Sequence, residues 1–490
     1  MRFSVVLTIL PLLALSSLLK GNQLPLCVDI CSCVYLSDEN ANETITRVTC
    51  NNDVKSVLTN RTSWINPDTN QSYAYDRMTL TNQYFIVLNF TFPKSDLVYL
   101  NLANNDIYTI KDSVFQNLQK LEVLILSHND LELMSPNALK GVYMPERYEP
   151  LKCLKELRLD HNRLHTLNTD LFEHTTDLEI LDLSYNPFTV IDYSTVIAID
   201  TLINLKELYL AYTQISTLPE LILHTPLNLR VLDLSGNPMD IVPATLKNSH
   251  NLTTLFLNDT NFVNLTKANG FPLLPSLKVL YMCHLTNVER IEKEALGGLP
   301  NLEELYISDN IKLNYIDGFS LALIDKENDG TIRPFIKKLH LRNNKIAFLE
   351  GDFLARWDAL IELDLGMNPW TCECENQWMV DDLMPIYLKI EKEKASLLGC
   401  QAPIEMVGYT FAELYERKYN MRCLDAYGAE PENDAALLVG VLAGILIAIP
   451  LILFGIYAYQ RKWFGLLSMC DSSPAAYSRR FYKSTRDEDF

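Results

Sequence analysis

Leucine and isoleucine recur through the middle of the chain in the pattern L-x-x-L-x-L, with mostly polar residues between them. LVYLNLANNDI begins at Leu97, LEVLILSHNDL at Leu121, LKELRLDHNRL at Leu154, LEILDLSYNPF at Leu178 and LKELYLAYTQI at Leu205. LRVLDLSGNPM follows at Leu229, and further units open at Leu252, Leu277, Leu302, Ile336 and Leu360. Most starts lie 23 to 27 residues apart. The alternation has the two-residue period of a short strand, which turns every second side chain to the same side. One unit cannot bury that apolar side, but stacked units can. The pattern therefore predicts an α/β-class curved solenoid with a parallel sheet on its concave side. The units are short, so the convex side is expected to hold irregular turns rather than full helices.

Three residues after the last leucine of most units stands an asparagine: Asn105, Asn129, Asn162, Asn186, Asn237, Asn310, Asn344 and Asn368. Its amide can bond backbone groups that the turn leaves unpaired. Thr213 and Thr260 hold the position less completely, and Leu285 cannot fill the role, so the unit from Leu277 is expected to be irregular. Two intervals are stretched, by residues 141–153 and 324–334, whose polar, Pro- and Gly-bearing sequences read as projecting loops. A degenerate first unit lies near residues 78–88, giving about 11–12 units over 78–368.

Cysteines bracket the repeats. Cys27, Cys31, Cys33 and Cys50 precede them, and Cys372, Cys374, Cys400 and Cys423 follow. A solenoid end exposes its core and needs a cap, and a small cap needs staples, which the secretory route permits. Residues 368–378, NPWTCECENQW, are similar to the entry of a C-terminal cysteine cap. From Cys27 to Cys423 the chain resembles extracellular leucine-rich-repeat single-pass transmembrane receptors with both caps. That resemblance implies the pairs Cys27–Cys33, Cys31–Cys50, Cys372–Cys400 and Cys374–Cys423, with Trp370 and Trp378 packing the open end. Val28 stands where many N-terminal caps have proline. A zinc reading of the C-x-C is disfavoured, because no second C-x-x-C or H-x3-H lies nearby and the compartment is oxidising. Cys153 and Cys283 are expected to be buried thiols. Cys470, near the membrane, is either a palmitoylation candidate or an unmodified thiol.

Both ends carry apolar segments. The first, after Arg2, reads as a secretory signal peptide over 1–21. The second, Ala435–Tyr459, is uncharged and is followed by Arg461 and Lys462. It is long enough to span a bilayer, where about 20 residues suffice. The basic residues place residues 460–490 in the cytoplasm and the bulk outside, so the expected location is the plasma membrane, single-pass type I. The remaining divisions are an N-terminal cap at 22–60, a C-terminal cap at 369–424 and a stalk at 425–434. Seven sequons, Asn42, Asn60, Asn70, Asn89, Asn251, Asn258 and Asn264, all fall on the outer side. Within the span Ala436, Gly440, Gly444 and Ala448 form one small-residue face suited to lateral homo- or hetero-association.

A formal charge of −19 argues against nucleic acid as a partner. No hydrolase, zincin, kinase or phosphate-loop signature appears, so no enzyme, cofactor or metal is expected. The histidines read as scattered surface residues, with His128, His161 and His284 at turn positions. Residues 325–336 begin like a calcium loop but end in Ile336 rather than glutamate. What remains is a surface. The outward residue between the second and third leucines forms a column containing Tyr209, Phe256, Tyr281, Tyr306 and His340, with Tyr212 at the adjacent turn. Exposed aromatics of this kind mark protein interfaces, although strand propensity alone also favours them. The expected function is a non-enzymatic cell-surface receptor or adhesion protein that binds a protein partner. The alternative, implied by the resemblance, is an auxiliary subunit modulating a channel or receptor in the same membrane.

Overall fold

The computed structural model describes residues 24–29, 31–38, 43–50, 54–145, 147–325, 330–421 and 431–461. The signal peptide, Asn42, Cys423, Cys470 and most of the tail lie outside them. The chain divides into two compact units, Met1–Tyr419 and Asn420–Phe490.

The first unit is a leucine-rich-repeat solenoid built on a 14-stranded sheet. Its first two strands, Cys31–Asp38 and Glu43–Cys50, are antiparallel. From Arg77–Thr79 to Glu362–Asp364 every strand pairs in parallel with the next, one per repeat. The middle residue of each of these strands, such as Leu124, Leu208 or Leu305, is fully buried, and in most of them its two neighbours are half-exposed. Each such leucine contributes about 1.5–3 kcal/mol relative to exposure. Because the register never slips, the third residues of successive strands form a single file.

The asparagines run as a second file inside. Asn162 Nδ2 donates to Leu159 O and, in the preceding repeat, to Leu126 O, both at 3.0 Å; its Oδ1 accepts from Leu131 N at 3.1 Å. Each side chain thus ties two repeats together and satisfies buried backbone groups. Thr213 and Thr260 bond carbonyls of their own repeat through their hydroxyls, Leu210 O and Leu257 O, and Thr213 Oγ1 also lies 3.0 Å from Asn237 Oδ1 of the next repeat. The repeat at Leu277 is regular, contrary to expectation. Asn310 of the following repeat accepts from Leu285 N at 2.6 Å and donates to Met282 O at 3.1 Å, so Leu285 itself is free to be buried.

The opposite side is mostly turns and 3-10 segments. Among the described residues one true helix interrupts it, Tyr193–Asp200, whose N-terminus is capped by Asp192 Oδ1 accepting from Thr195 N at 2.9 Å. It falls in the longest unstretched repeat, from Leu178 to Leu205, where the extra residues give a helix room to close. Both inserts form hairpins, Tyr143–Met144 with Arg147–Tyr148 and Leu323–Asp325 with Gly330–Ile332.

Disulfides Cys27–Cys33 and Cys31–Cys50 staple the N-terminal end. Behind them Trp64 packs edge-on against Tyr75 and Phe92. At the other end Cys372 bonds Cys400, and Cys374 is also disulfide-bonded. Buried Trp370 donates to Leu365 O at 2.8 Å, and Trp378 donates to Leu349 O at 2.7 Å. These indoles roof the last repeats while satisfying their carbonyls. Cys153 and Cys283 are free thiols, but half-buried rather than buried. In the second unit, helix Pro431–Gln460 contains a 24-residue apolar stretch, Leu437–Gln460, within which an 18-residue window has mean hydropathy 3.0. It is long and apolar enough to cross a membrane.

Candidate protein-binding face

Adjacent parallel strands are about 4.8 Å apart, which is close to the separation at which aromatic rings stack. Equal positions in successive strands are therefore ready-made for a column of rings. Phe256, Tyr281, Tyr306 and His340 form one, with centroids 4.6, 4.3 and 4.7 Å apart. The first three rings are nearly parallel, at 11° and 6°, and the imidazole tilts by 35°. All four are half-exposed.

Carboxylates line this column. Tyr306 Oη donates to Glu304 Oε2 at 2.9 Å, Lys338 Nζ lies 3.0 Å from Glu304 Oε1, and His340 Nε2 lies 3.1 Å from Glu362 Oε1. Burial, with the Glu304 hydrogen bond and charge, pushes the Tyr306 phenol well above its ordinary value. Upstream in the same file stand Asp182 and Asp233, whose carboxyls are pushed up mainly by burial.

The six aromatic positions expected to act together do not form one patch. Asp233 separates Tyr209 from Phe256 along the file, and Tyr209 Oη donates instead to Glu207 Oε2 at 2.7 Å. Tyr212 joins a different column, made by residues at the turn after each strand. Here His128, His161, Tyr185 and Tyr212 stack with centroids 4.0, 4.1 and 4.7 Å apart. All four have left-handed backbones, with φ between 53° and 56°, so their side chains leave the turns in the same direction. The histidines at 128 and 161 are therefore not isolated surface residues. The column ends where Gly236 takes the turn position; a Cβ there would lie 2.2 Å from the Tyr212 ring. Beyond the glycine, Tyr212 Oη donates to Asp259 Oδ2 at 2.8 Å. Burial and that carboxylate push the phenol up to about 12.

The sequence signal for the turn column is an aromatic or imidazole in four successive units, immediately before the asparagine in three of them and before Thr213 in the fourth. From the sequence alone such a residue reads as ordinary turn surface, because nothing in the spacing shows that successive rings meet. Among the sequons, Asn258 is half-buried and its Oδ1 accepts from Cys283 N at 2.8 Å, whereas Asn89 is exposed. Gly440 and Gly444 have no heavy atom that a Cβ would meet within 4 Å.

The family profile described as "Leucine rich repeat" matches residues 95–142 and 152–197, and a second profile of that name matches 228–249. Tsukushi of Gallus gallus is 28% identical over 276 residues, covering 55% of this chain and 68% of that protein. Lumican of Gallus gallus is 28% identical over 287 residues, covering 55% and 76%. Toll-like receptor 8 of Homo sapiens is 29% identical over 353 residues, covering 65% of this chain but 30% of the receptor. The chain thus carries leucine-rich repeats on a continuous parallel sheet, with N-terminal disulfides and, among the described residues, one long apolar helix, and it is similar over about half its length to Tsukushi and Lumican.

Proposed function

We infer that the protein is a non-enzymatic cell-surface receptor or adhesion protein, anchored by one span with its repeats outside. The partner is a protein, bound on the column Phe256–Tyr281–Tyr306–His340. The observation that carries this reading is the column itself: four half-exposed rings in contact, bordered by Glu304 and Glu362. Rings of this kind give large contact area at low entropic cost and dominate protein interfaces. The flanking carboxylates favour a partner segment carrying arginine or lysine, which ring faces also attract.

The anchoring part of the proposal is supported by the Leu437–Gln460 stretch and by Arg461 and Lys462 beyond it. The six described sequons and Asn42, the cap and stalk limits and the lateral contact through Ala436, Gly440, Gly444 and Ala448 belong to the same proposal. The test is a cell-adhesion assay with the full-length chain displayed on non-adherent cells, mixed with labelled copies of themselves and with other cell types. The triple variant F256S/Y281S/Y306S, at equal surface level, is expected to lose adhesion at least about thirtyfold, since each lost anchor of this class costs about 2 kcal/mol or more. Adhesion unchanged in the triple variant would remove the column from the interface.

A further inference from the structure

The end of the turn column holds a cluster that packing alone does not account for. Suitable donor atoms of His128, Asp160 and His161 all lie within 4.8 Å of one another. We propose that these three side chains form a site for a divalent metal of the zinc class.

The argument begins with the backbone. His128 and His161 occupy equivalent turns of adjacent repeats, both with φ of 53°, so both imidazoles leave the turns side by side. The interval between these repeats is one of the two stretched ones, but strands Val123–Ile125 and Glu156–Arg158 still pair in register. The insert is absorbed elsewhere and the two histidines still meet. Asp160 precedes His161 and places Oδ2 3.0 Å from His161 Nδ1. Its other oxygen accepts a hydrogen bond from Ser127 Oγ. Ser127 thus holds one oxygen of the Asp160 carboxylate and leaves the other free to point at the site, as an outer-shell partner orients a metal ligand.

Two imidazole nitrogens and one carboxylate oxygen suit zinc, whereas calcium and magnesium take oxygen ligands. In a tetrahedral zinc site with bonds of about 2.0–2.1 Å, donors stand about 3.3 Å apart; Asp160 Oδ2 and His161 Nδ1 are already within that distance, so the rearrangement falls on the pair of imidazoles. The rings now stack at 4.0 Å with 22° between their planes, and their lone pairs lie in those planes. Binding therefore turns one ring out of the stack. His128 is the ring that turns: it is exposed, and Asn104 holds the preceding turn position. Three protein donors leave a fourth position for water or for a donor brought by a partner.

The test is isothermal titration of zinc sulfate into the full-length protein in detergent, stripped beforehand with a chelator. One equivalent is expected to bind. H161N and H128N should each abolish the one-site isotherm; asparagine tolerates the left-handed backbone, as Asn104 and Asn343 do at the same position. S127A should weaken binding about tenfold or more, as loss of an outer-shell partner does. H284N, at the same turn position but outside the cluster, with Asp309 4.0 Å away, should bind as the unaltered chain does. Thermal midpoints without metal should be equal across the set, and zinc should raise only those of the unaltered chain, S127A and H284N. No one-site isotherm in the unaltered chain, or the same isotherm in H161N, would overturn the proposal.

Discussion

The two halves of the solenoid carry the same scaffold but put their rings in different places. In the half up to Gly236, the strand file reads Asn101, Ile125, Arg158, Asp182, Tyr209 and Asp233, and the stacked rings sit at the turns. In the half from Phe256, the rings sit in the strand file, and the turns hold Asp259, His284, Asp309, Asn343 and Met367. The handover is Gly236 together with the Tyr212–Asp259 hydrogen bond. One repeat geometry thus supplies two parallel files, and the sequence chooses which of them becomes a surface of rings. The difference separates what holds the repeats together from what they display.

The sharpest way to break that separation is at Asn237, inside the handover. Its amide donates to Leu210 O and Leu234 O, and its oxygen accepts from Thr213 N and Ile215 N, at 2.8 to 3.1 Å. N237A leaves several buried groups unpaired and is expected to cost about 3–5 kcal/mol, read as a large fall in the urea midpoint of the purified chain. T260A, where one hydroxyl serves, should cost only about 1 kcal/mol. Equal losses would mean that the asparagine's bonds to the neighbouring repeat add nothing to cohesion beyond what one hydroxyl supplies.

G236A tests the handover from outside. The left-handed backbone costs a residue with a Cβ about 1–2 kcal/mol, and the methyl group must displace the Tyr212 ring. Thermal stability should fall by about that amount, while adhesion through the Phe256 column stays unchanged. A loss of adhesion would join the two columns into one surface.

The smallest effect belongs to Glu303, which bridges Lys278 at 2.9 Å and Lys337 at 2.6 Å. The hydrogen bond from Lys337, then that from Lys278, holds its carboxyl below the ordinary 4.5. A lowered folded pKa gives stability that is present above the unfolded value and lost as pH falls through the folded one. E303Q should therefore be slightly less stable than the unaltered chain at neutral pH. The two should converge on acidification below 4.5. A difference that persists there would assign the effect to packing.

The fold was legible because its signal repeats. Every L-x-x-L-x-L unit votes for the same strand, and one weak unit such as that at Leu277 cannot alter the register. Sequence reasoning erred at Leu285 by asking whether a residue could serve its own turn. The amide that serves it belongs to Asn310, one repeat later. The strand column was half visible, since equal positions in successive units could be written down in order. What could not be read was contact: Asp233 interrupts the file at Tyr209, and the turn rings meet only because their backbones share one left-handed conformation.

That shared conformation filters the surface it supports. Twelve successive turn positions, from Asn82 to Met367, have positive φ, and they hold Asn, His, Tyr, Gly, Asp and Met but no β-branched residue. Val, Ile and Thr are the side chains that such a backbone penalises most. The strand file has no such filter: it holds Ile125 and Thr79 as readily as Asp364 or Tyr281. The two files therefore differ in how freely substitution can rewrite them. The turn file draws on a short alphabet already rich in metal-ligating and hydrogen-bonding groups, while the strand file is open to whatever shape a partner requires.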